Sequence, residues 1–298
     1  VTNHLLVLGH GYSSAATLEG LDPSFRITVT ARSPEKIALL RSKGLDVVPF
    51  DGTSPSAELD ALLGRITHLL ITAAPDANGD PLLRQHRPGL EASQSLRWVG
   101  YLSTVGVYGN AAGGWVDETT PPTANSERAR QRIAAETAWL DLGRRTGASA
   151  QIFRLGGIYG PGRNALIDVL AGTARRIIKP GQVFNRIHVE DIRGMVRAGM
   201  AQPGAGPIFN VVDGNPSGPQ DMVAYAAELL QKPAPAEVLF EDANLSPMGR
   251  SFYAENRRVS NVKTLQSLGY RLRYPTYRDG LEALVAARDF EREPPLDA

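Results

Sequence analysis

The chain has 298 residues, 42% hydrophobic and 21% charged, with a formal net charge of +1 and no cysteine. That excludes a disulfide scaffold, a cysteine-ligated zinc or iron–sulfur centre and a thiol nucleophile. The balanced charge gives no reason to expect nucleic acid or an anionic membrane as a partner, and five scattered histidines suggest no metal motif.

Taken in chain order, the first half alternates short apolar runs with helical stretches. Leu5–Leu8 predicts a strand, and a short helix is expected over Ser14–Leu21. Arg26–Thr30 is β-branched and reads as the second strand. Pro34–Lys43 has proline at a first helical position, good helix formers behind it and Gly44 as a stop. Val47–Phe50 and His68–Thr72 predict the third and fourth strands, with a helix over Ser54–Leu63 between them. Pro81–Ser93 reads as a helix interrupted by Pro88. Trp98–Ser103 is the fifth strand, Ser126–Arg145 a long helix ended by Gly147, and Ala150–Arg154 the sixth strand. The runs are solidly apolar, as strands covered on both faces are. Their alternation with helices is the mark of βαβ units on a parallel sheet.

The second half is less regular. Gly156–Gly162 is a glycine-rich loop and Ala165–Arg176 reads as a helix. Ile187–Val189 and Phe209–Val212 predict short strands, and helices are expected over Asp191–Met200, Asp221–Leu230 and Asp279–Ala287. The fold class is α/β, a doubly wound parallel sheet with a small C-terminal lobe. Residues 1–155 and about 187–212 are expected in the sheet domain, with 156–186 and 213–298 in the smaller lobe. No stretch approaches the ~20 apolar residues of a membrane span. No secretory leader is read at the N-terminus, and a cytoplasmic location is expected.

The first strand runs straight into Gly9-His10-Gly11-Tyr12-Ser13-Ser14. Gly9 and Gly11 meet the first two positions of G-x-G-x-x-G, where the turn is tight and a pyrophosphate approaches the backbone. Ser14 takes the third, where a small residue allows close packing of helix on strand. The second strand ends at Arg32-Ser33, with no acidic residue to bind a ribose 2′-hydroxyl. Arg32 and Ser33 suit a 2′-phosphate instead, so NADP is expected, with NAD the alternative. A solvated arginine at a helix entrance is the plain reading of Arg32. Asp51, after the third strand, is placed to bond an adenine edge. Ala73, Ala74 and Pro75, after the fourth, are small enough for a cofactor to lie close.

Taken together, LLVLGHGYSS, TARSPEKIALL, FDGT, YLSTVGVYGN with WVDETTPP after it, RIAAE, FRLGGIYGPGRN, RIHVEDI and FNVVDGNPS resemble the extended or atypical short-chain dehydrogenase/reductases of the NAD-dependent epimerase/dehydratase family. The resemblance covers nearly the whole length. It implies a Rossmann domain with a substrate lobe, and an NAD(P)-dependent oxidoreductase or epimerase activity. In that family a Ser/Thr hydroxyl orients substrate, and a Tyr acts as acid/base with a Lys four residues on. The register set by Tyr108 puts Thr104 on the hydroxyl position, Arg128 on the Tyr position and Arg132 on the Lys position. No Tyr in the chain has Lys four residues later. A guanidinium stays protonated at any working pH and cannot shuttle a proton.

Three readings stand at this point. The chain is an enzyme whose proton comes from Tyr108, Tyr159 or His188, each of which also has a plain packing reading. Or it is a non-catalytic NADP(H)-binding sensor or regulator. Or it uses the fold for interaction only, which would leave the glycine loop without a purpose. The cleft is expected to be lined by Arg163, Asn164, Lys179, Gln182, Asn185, Arg186 and His188. With Arg128, the cations among them suit a small anionic sugar-type or carbonyl substrate, or are simply solvated. Relatives often dimerise through helices equivalent to those around 81–93 and 126–145, which makes a homodimer an expectation.

Overall fold

The computed structural model describes residues 3–123, 125–288 and 290. The first two and last eight residues of the two expected units lie outside this set. The chain runs β1 (His4–Leu8), α1 (Tyr12–Leu18), β2 (Arg26–Ala31), α2 (Pro34–Ser42), β3 (Asp46–Pro49), α3 (Ala57–Leu63), β4 (His68–Ile71), α4 (Pro81–Ala92) and β5 (Trp98–Thr104). There follow β6 (Trp115–Val116), α5 (Glu127–Thr146), β7 (Ser149–Leu155), β8 (Gly157–Tyr159), α6 (Ala165–Leu170), β9 (Arg176–Ile178), β10 (Arg186–His188), α7 (Val189–Ala201) and β11 (Ile208–Val211). The chain closes with α8 (Pro219–Leu229), β12 (Glu237–Leu239), α9 (Pro247–Phe252), β13 (Arg258–Val259), α10 (Val262–Leu268) and α11 (Tyr277–Ala287).

Seven strands form one sheet in the order β3-β2-β1-β4-β5-β7-β11, parallel throughout. The order reverses between β1 and β4. In such sheets ligands bind outside the carboxyl ends of the strands at that reversal. The period-2 geometry of β1 explains why the sheet is apolar on both faces. Leu6 and Leu8 join Leu59, Leu82 and Trp139 on one side, while Leu5 and Val7 join Ile192, Met195 and Leu268 on the other.

Local chemistry sets the helix ends. Ser33 caps α2, its Oγ accepting the Lys36 N–H at 3.3 Å, and Pro34 follows at the first helical position. The Ser126 Oγ caps α5, and Gly147 ends it at φ +76°. The break in α4 falls at His86 (φ −133°), two residues before Pro88. The helix expected over Ala165–Arg176 stops at Leu170 instead. Gly172 turns the chain at φ +68°, and Arg176–Ile178 becomes β9, paired with β12. Two further parallel pairs, β8 with β10 and β6 with β13, lie outside the main sheet. A separate apolar cluster joins Leu166 and Val169 of α6, Met222 and Ala226 of α8, and Leu281 and Leu284 of α11.

Candidate functional site

The glycine loop leaves β1 at the reversal point of the sheet. Gly9 adopts φ +82°, and a Cβ there would lie 3.2 Å from Thr72 Oγ1 and 3.3 Å from the Ala73 nitrogen. Only glycine fits that turn without strain. Its N–H donates to Thr30 Oγ1 at 2.8 Å, and its carbonyl accepts from Thr72 Oγ1 at 2.7 Å, so the loop is pinned to the ends of β2 and β4. Gly11 precedes α1. Ser14, fully buried, accepts the Gly11 N–H at 2.8 Å through its Oγ. The serine thus fills the third glycine position with a hydrogen bond as well as with small size. Tyr12 is buried and donates to the Pro161 carbonyl at 2.9 Å, while Ser13 is half-buried beside it.

The remaining cofactor candidates line the same edge. Arg32 and Ser33 are exposed at the end of β2. Asp51 is exposed after β3, its Oδ1 accepting the Thr53 N–H and Oγ1–H, both at 2.8 Å, and these bonds hold its carboxyl below the usual range. Ala73 and Pro75 are half-buried and Ala74 exposed after β4. The edge thus offers a dinucleotide a turn with no room for a Cβ at Gly9, small side chains just after β4, and an exposed cation with an N-cap serine at the end of β2. The residues fit the group.

The positions that carry acid/base chemistry in the resembled family look different. Thr104 Oγ1 accepts the Gly106 N–H at 3.0 Å, and its own proton goes to no acceptor among the described residues. Arg128 is exposed on the first turn of α5. Arg132 Nη1 donates to the Tyr101 hydroxyl at 3.1 Å and to the Leu102 carbonyl at 2.9 Å. The three alternative proton donors are each built into the fold. Buried Tyr108 donates to Asn210 Oδ1 at 2.7 Å. Buried Tyr159 donates to the Thr276 carbonyl at 3.4 Å, and burial pushes its phenol up. His188 Nδ1 accepts the Glu190 N–H at 3.2 Å, capping α7. Burial, then Arg273 and Arg193, push His188 down to about 3, so it is neutral at physiological pH.

The expected cluster of cleft cations is not assembled. Arg186 is buried, donating to Ser217 Oγ at 2.7 Å and to the Gly218 carbonyl at 3.1 Å, with its guanidinium 5.4 Å from the Tyr277 ring centroid. Lys179 donates to the Tyr253 carbonyl and lies 5.0 Å from the Phe240 ring centroid. Both fix segments together, where the sequence reading had them as substrate cations. Gln182 and Asn185 likewise donate to the Glu255 and Arg257 carbonyls, and Asn164 caps α6. Arg163 remains exposed, 6.0 Å from the Tyr12 ring centroid. It belongs to the Gly160–Arg163 turn, which presses on the glycine loop. A Cβ at Gly160 would stand 2.6 Å from the Tyr12 hydroxyl and 2.8 Å from Val189. Gly160→Ala is therefore expected to cost about 1–3 kcal/mol of stability and to weaken nucleotide binding through Tyr12. Urea unfolding and cofactor titration check the two effects.

Three features of this region lie in segments that carry the resemblance but were given no role there. Glu136 and Arg154 form a buried bidentate pair that also receives the Ser103 hydroxyl. Asp213, just past β11, is buried with Oδ2 unpartnered among the described residues. A surface cavity of about 550 Å³ opens between Trp115, Asp117, Thr119 and Thr120 on one side and Ser260 and Val262 on the other. Trp115 is 64% exposed there.

No family model matches the chain. Among solved structures it is similar to a conserved protein of unknown function from Silicibacter pomeroyi DSS, with 46% identity and a TM-score of 0.85 over 97% of this chain and 100% of that one. It is also similar to a Methylobacillus flagellatus protein described as an NAD-dependent epimerase/dehydratase, with 25% identity and a TM-score of 0.72 over 97% and 99% of the two chains. It shares the fold of UDP-glucuronic acid 4-epimerase from Bacillus cereus, solved with NAD, at 16% identity and a TM-score of 0.74 over 95% and 96% of the chains. Among curated proteins it is 31% identical to protein YeeZ of Escherichia coli strain K12 over 179 residues, 59% of this chain and 58% of that protein's length. It is 23% identical to a 3-diazoavenalumate denitrifying reductase of Streptomyces over 303 residues, 92% of this chain and 96% of that one.

Proposed function

We propose that the chain is an oxidoreductase of the NAD-dependent epimerase/dehydratase kind, the kind its solved structural neighbours represent, and that with NADP(H) it reduces a small anionic carbonyl or sugar-type substrate. One observation carries the reading. The cofactor edge has its glycine turn, its small residues and a cation at the end of β2, while both acid/base positions of the family are arginines.

Gly9 and Gly11 hold the diphosphate side, Arg32 and Ser33 the 2′-phosphate, Asp51 the adenine edge, and Ala73–Pro75 the length of the cofactor. The nicotinamide supplies or accepts a hydride when bound. The chain orients: Thr104 offers a hydroxyl proton to a substrate oxygen, and Arg132 places a fixed positive charge behind β5. A guanidinium donates hydrogen bonds to a developing oxyanion but does not take up a proton. This favours reduction, with the proton coming from water, over epimerisation, in which one group must both remove and return it. The Streptomyces relative is described as a reductase, in line with this reading. Arg163 and Arg128, both exposed, are the cations left for an anionic substrate. Residues 156–186 and 213–298 are taken as the lobe that carries it.

A second reading, cofactor binding without turnover, is favoured by the commitment of Tyr108, Tyr159 and His188 to structural contacts. Titration with NADPH and NADH, followed by substrate screening, separates the two. NADPH is expected to bind at least about tenfold tighter than NADH, and Arg32→Ala to lose about 1.5–3 kcal/mol of NADPH binding alone. Equal affinity for the two cofactors would remove the NADP assignment.

A further inference from the structure

We infer that His10 is a proton-coupled contact for the cofactor's 2′-phosphate, so that the preference of this chain for NADP over NAD strengthens as the pH falls. The inference rests on the reading that the end of β2 takes that phosphate, and deepens it.

His10 stands between the two glycines of the loop, and its place is fixed by the Gly9 turn at φ +82° and by the Gly9 N–H bond to Thr30 Oγ1. That bond ties the loop to β2 two residues before Arg32. Lys36, on the first turn of α2, acts electrostatically on His10, and Arg32 acts in turn on Lys36. Lys36 and Lys43 are thus the cations whose charge reaches the histidine, and Arg32, at the end of β2, acts on the first of them. His10 Nδ1 is buried and finds no hydrogen-bond partner among the described residues. The charged groups facing the ring are Lys36 and Lys43, both from α2 and its C-cap. The end of β4 presents Thr72 and Ala73 to the same loop, and neither titrates. Among the described residues no carboxylate is one of the groups acting on the ring.

Burial, then Lys36 and Lys43, push His10 down to about 4, so the ring is neutral near pH 7 without ligand. A phosphate monoester brings close to two negative charges and strong acceptor oxygens. It cancels the repulsion from Lys36 and offers the ring N–H an acceptor, and both effects favour imidazolium. The proton comes from solvent. NAD carries a neutral hydroxyl at the same carbon and draws none.

The test is calorimetric titration of the full chain with NADP⁺ and with NAD⁺ between pH 5.5 and 8, in two buffers of different ionisation enthalpy, for the native protein and His10→Gln. The 2′-phosphate itself protonates near pH 6, which opposes the trend equally in both proteins, so the quantity read is native minus variant. If the bound ring regains an ordinary histidine pKa, native affinity for NADP⁺ gains about tenfold over the variant between pH 7.5 and 5.5. Proton uptake accompanies NADP⁺ but not NAD⁺, and NAD⁺ affinity is the same in both proteins. Equal pH slopes in native and variant, with NADP⁺ still preferred, would overturn the role of His10 and leave the cofactor reading standing. No preference for NADP⁺ at any pH would overturn both. Should the variant also lose NAD⁺, the native proton counts decide: equal counts for the two cofactors refute the coupling, and uptake with NADP⁺ alone supports it.

Discussion

Replacing Glu136 by alanine is expected to lower the stability of the chain by about 3–5 kcal/mol, the range for removing one partner of a buried ion pair. Glu136 and Arg154 are almost wholly buried. Arg154 donates to Glu136 through Nε at 3.2 Å and through Nη2 at 2.7 Å. Ser103 adds a 2.5 Å bond to the same carboxylate, and the Arg154 guanidinium lies 4.8 Å from the Tyr108 ring centroid. The pair therefore joins α5, β7 and the end of β5 beneath the positions of Thr104 and Arg132. Alanine leaves a buried guanidinium with no counter-charge, which is the larger part of the cost. The pair itself need contribute little: Glu136→Met with Arg154→Met is expected to recover much of the loss. Urea unfolding of the single and the double variant checks this. A single substitution costing under about 1 kcal/mol, the worth of an exposed pair, would refute the account.

Asp213→Asn is expected to stabilise the protein at pH 8 and to do little at pH 4. Asp213 is 1% exposed, and burial pushes its carboxyl up to about 7, with the Asn215 N–H and then Arg186 opposing the shift. Its folded value lies above the unfolded one. The stability it permits is therefore full below about pH 4, falls as the pH rises towards 7, and is level above that. At 1.36 kcal/mol per unit, the charged form costs up to about 4 kcal/mol at pH 8. Asparagine keeps an acceptor for the Asn215 N–H, which reaches Asp213 Oδ1 at 3.1 Å, and carries no charge. Thermal unfolding across this range is the measurement. A gain that does not grow with pH would show that Asp213 does not titrate in the fold.

The sheet was legible because its strands are continuous apolar runs bounded by turn residues, and β1 through β5 follow one another without interruption. The cofactor edge was legible because a glycine turn after a first strand is a local pattern. What lay between distant segments was not. Arg186 reads as a cleft cation from its own neighbourhood, but the groups that take its guanidinium, Ser217 and Gly218, come thirty residues later. Tyr108 reads as a candidate acid until Asn210, a hundred residues on, accepts its proton. The helix expected over Ala165–Arg176 meets a local stop signal in Gly172, which the reading passed over. Beyond that turn Arg176–Ile178 is a strand because it gains a partner in Glu237–Leu239, which tertiary context alone provides. Asp213 sits in the FNVVDGNPS segment, but nothing in that segment marks it for a role, and only its burial singles it out.

The strand order has a consequence for how the chain comes off the ribosome. β1 to β5 are complete by residue 104, and each pairs with a neighbour already made. The sheet grows from β1 toward β3 on one side and toward β5 on the other. β7 extends it only after the long α5, and β11 not until residue 208. Until then the edge of β7 and the ring of Phe153, which packs 5.4 Å from Phe209, stand open to water and to other chains. At about 5–20 residues per second, the interval between β7 and β11 lasts a few seconds. Synthesis that stalls inside this interval leaves an unpaired hydrophobic strand, and this is the stage at which a chaperone would have most to protect.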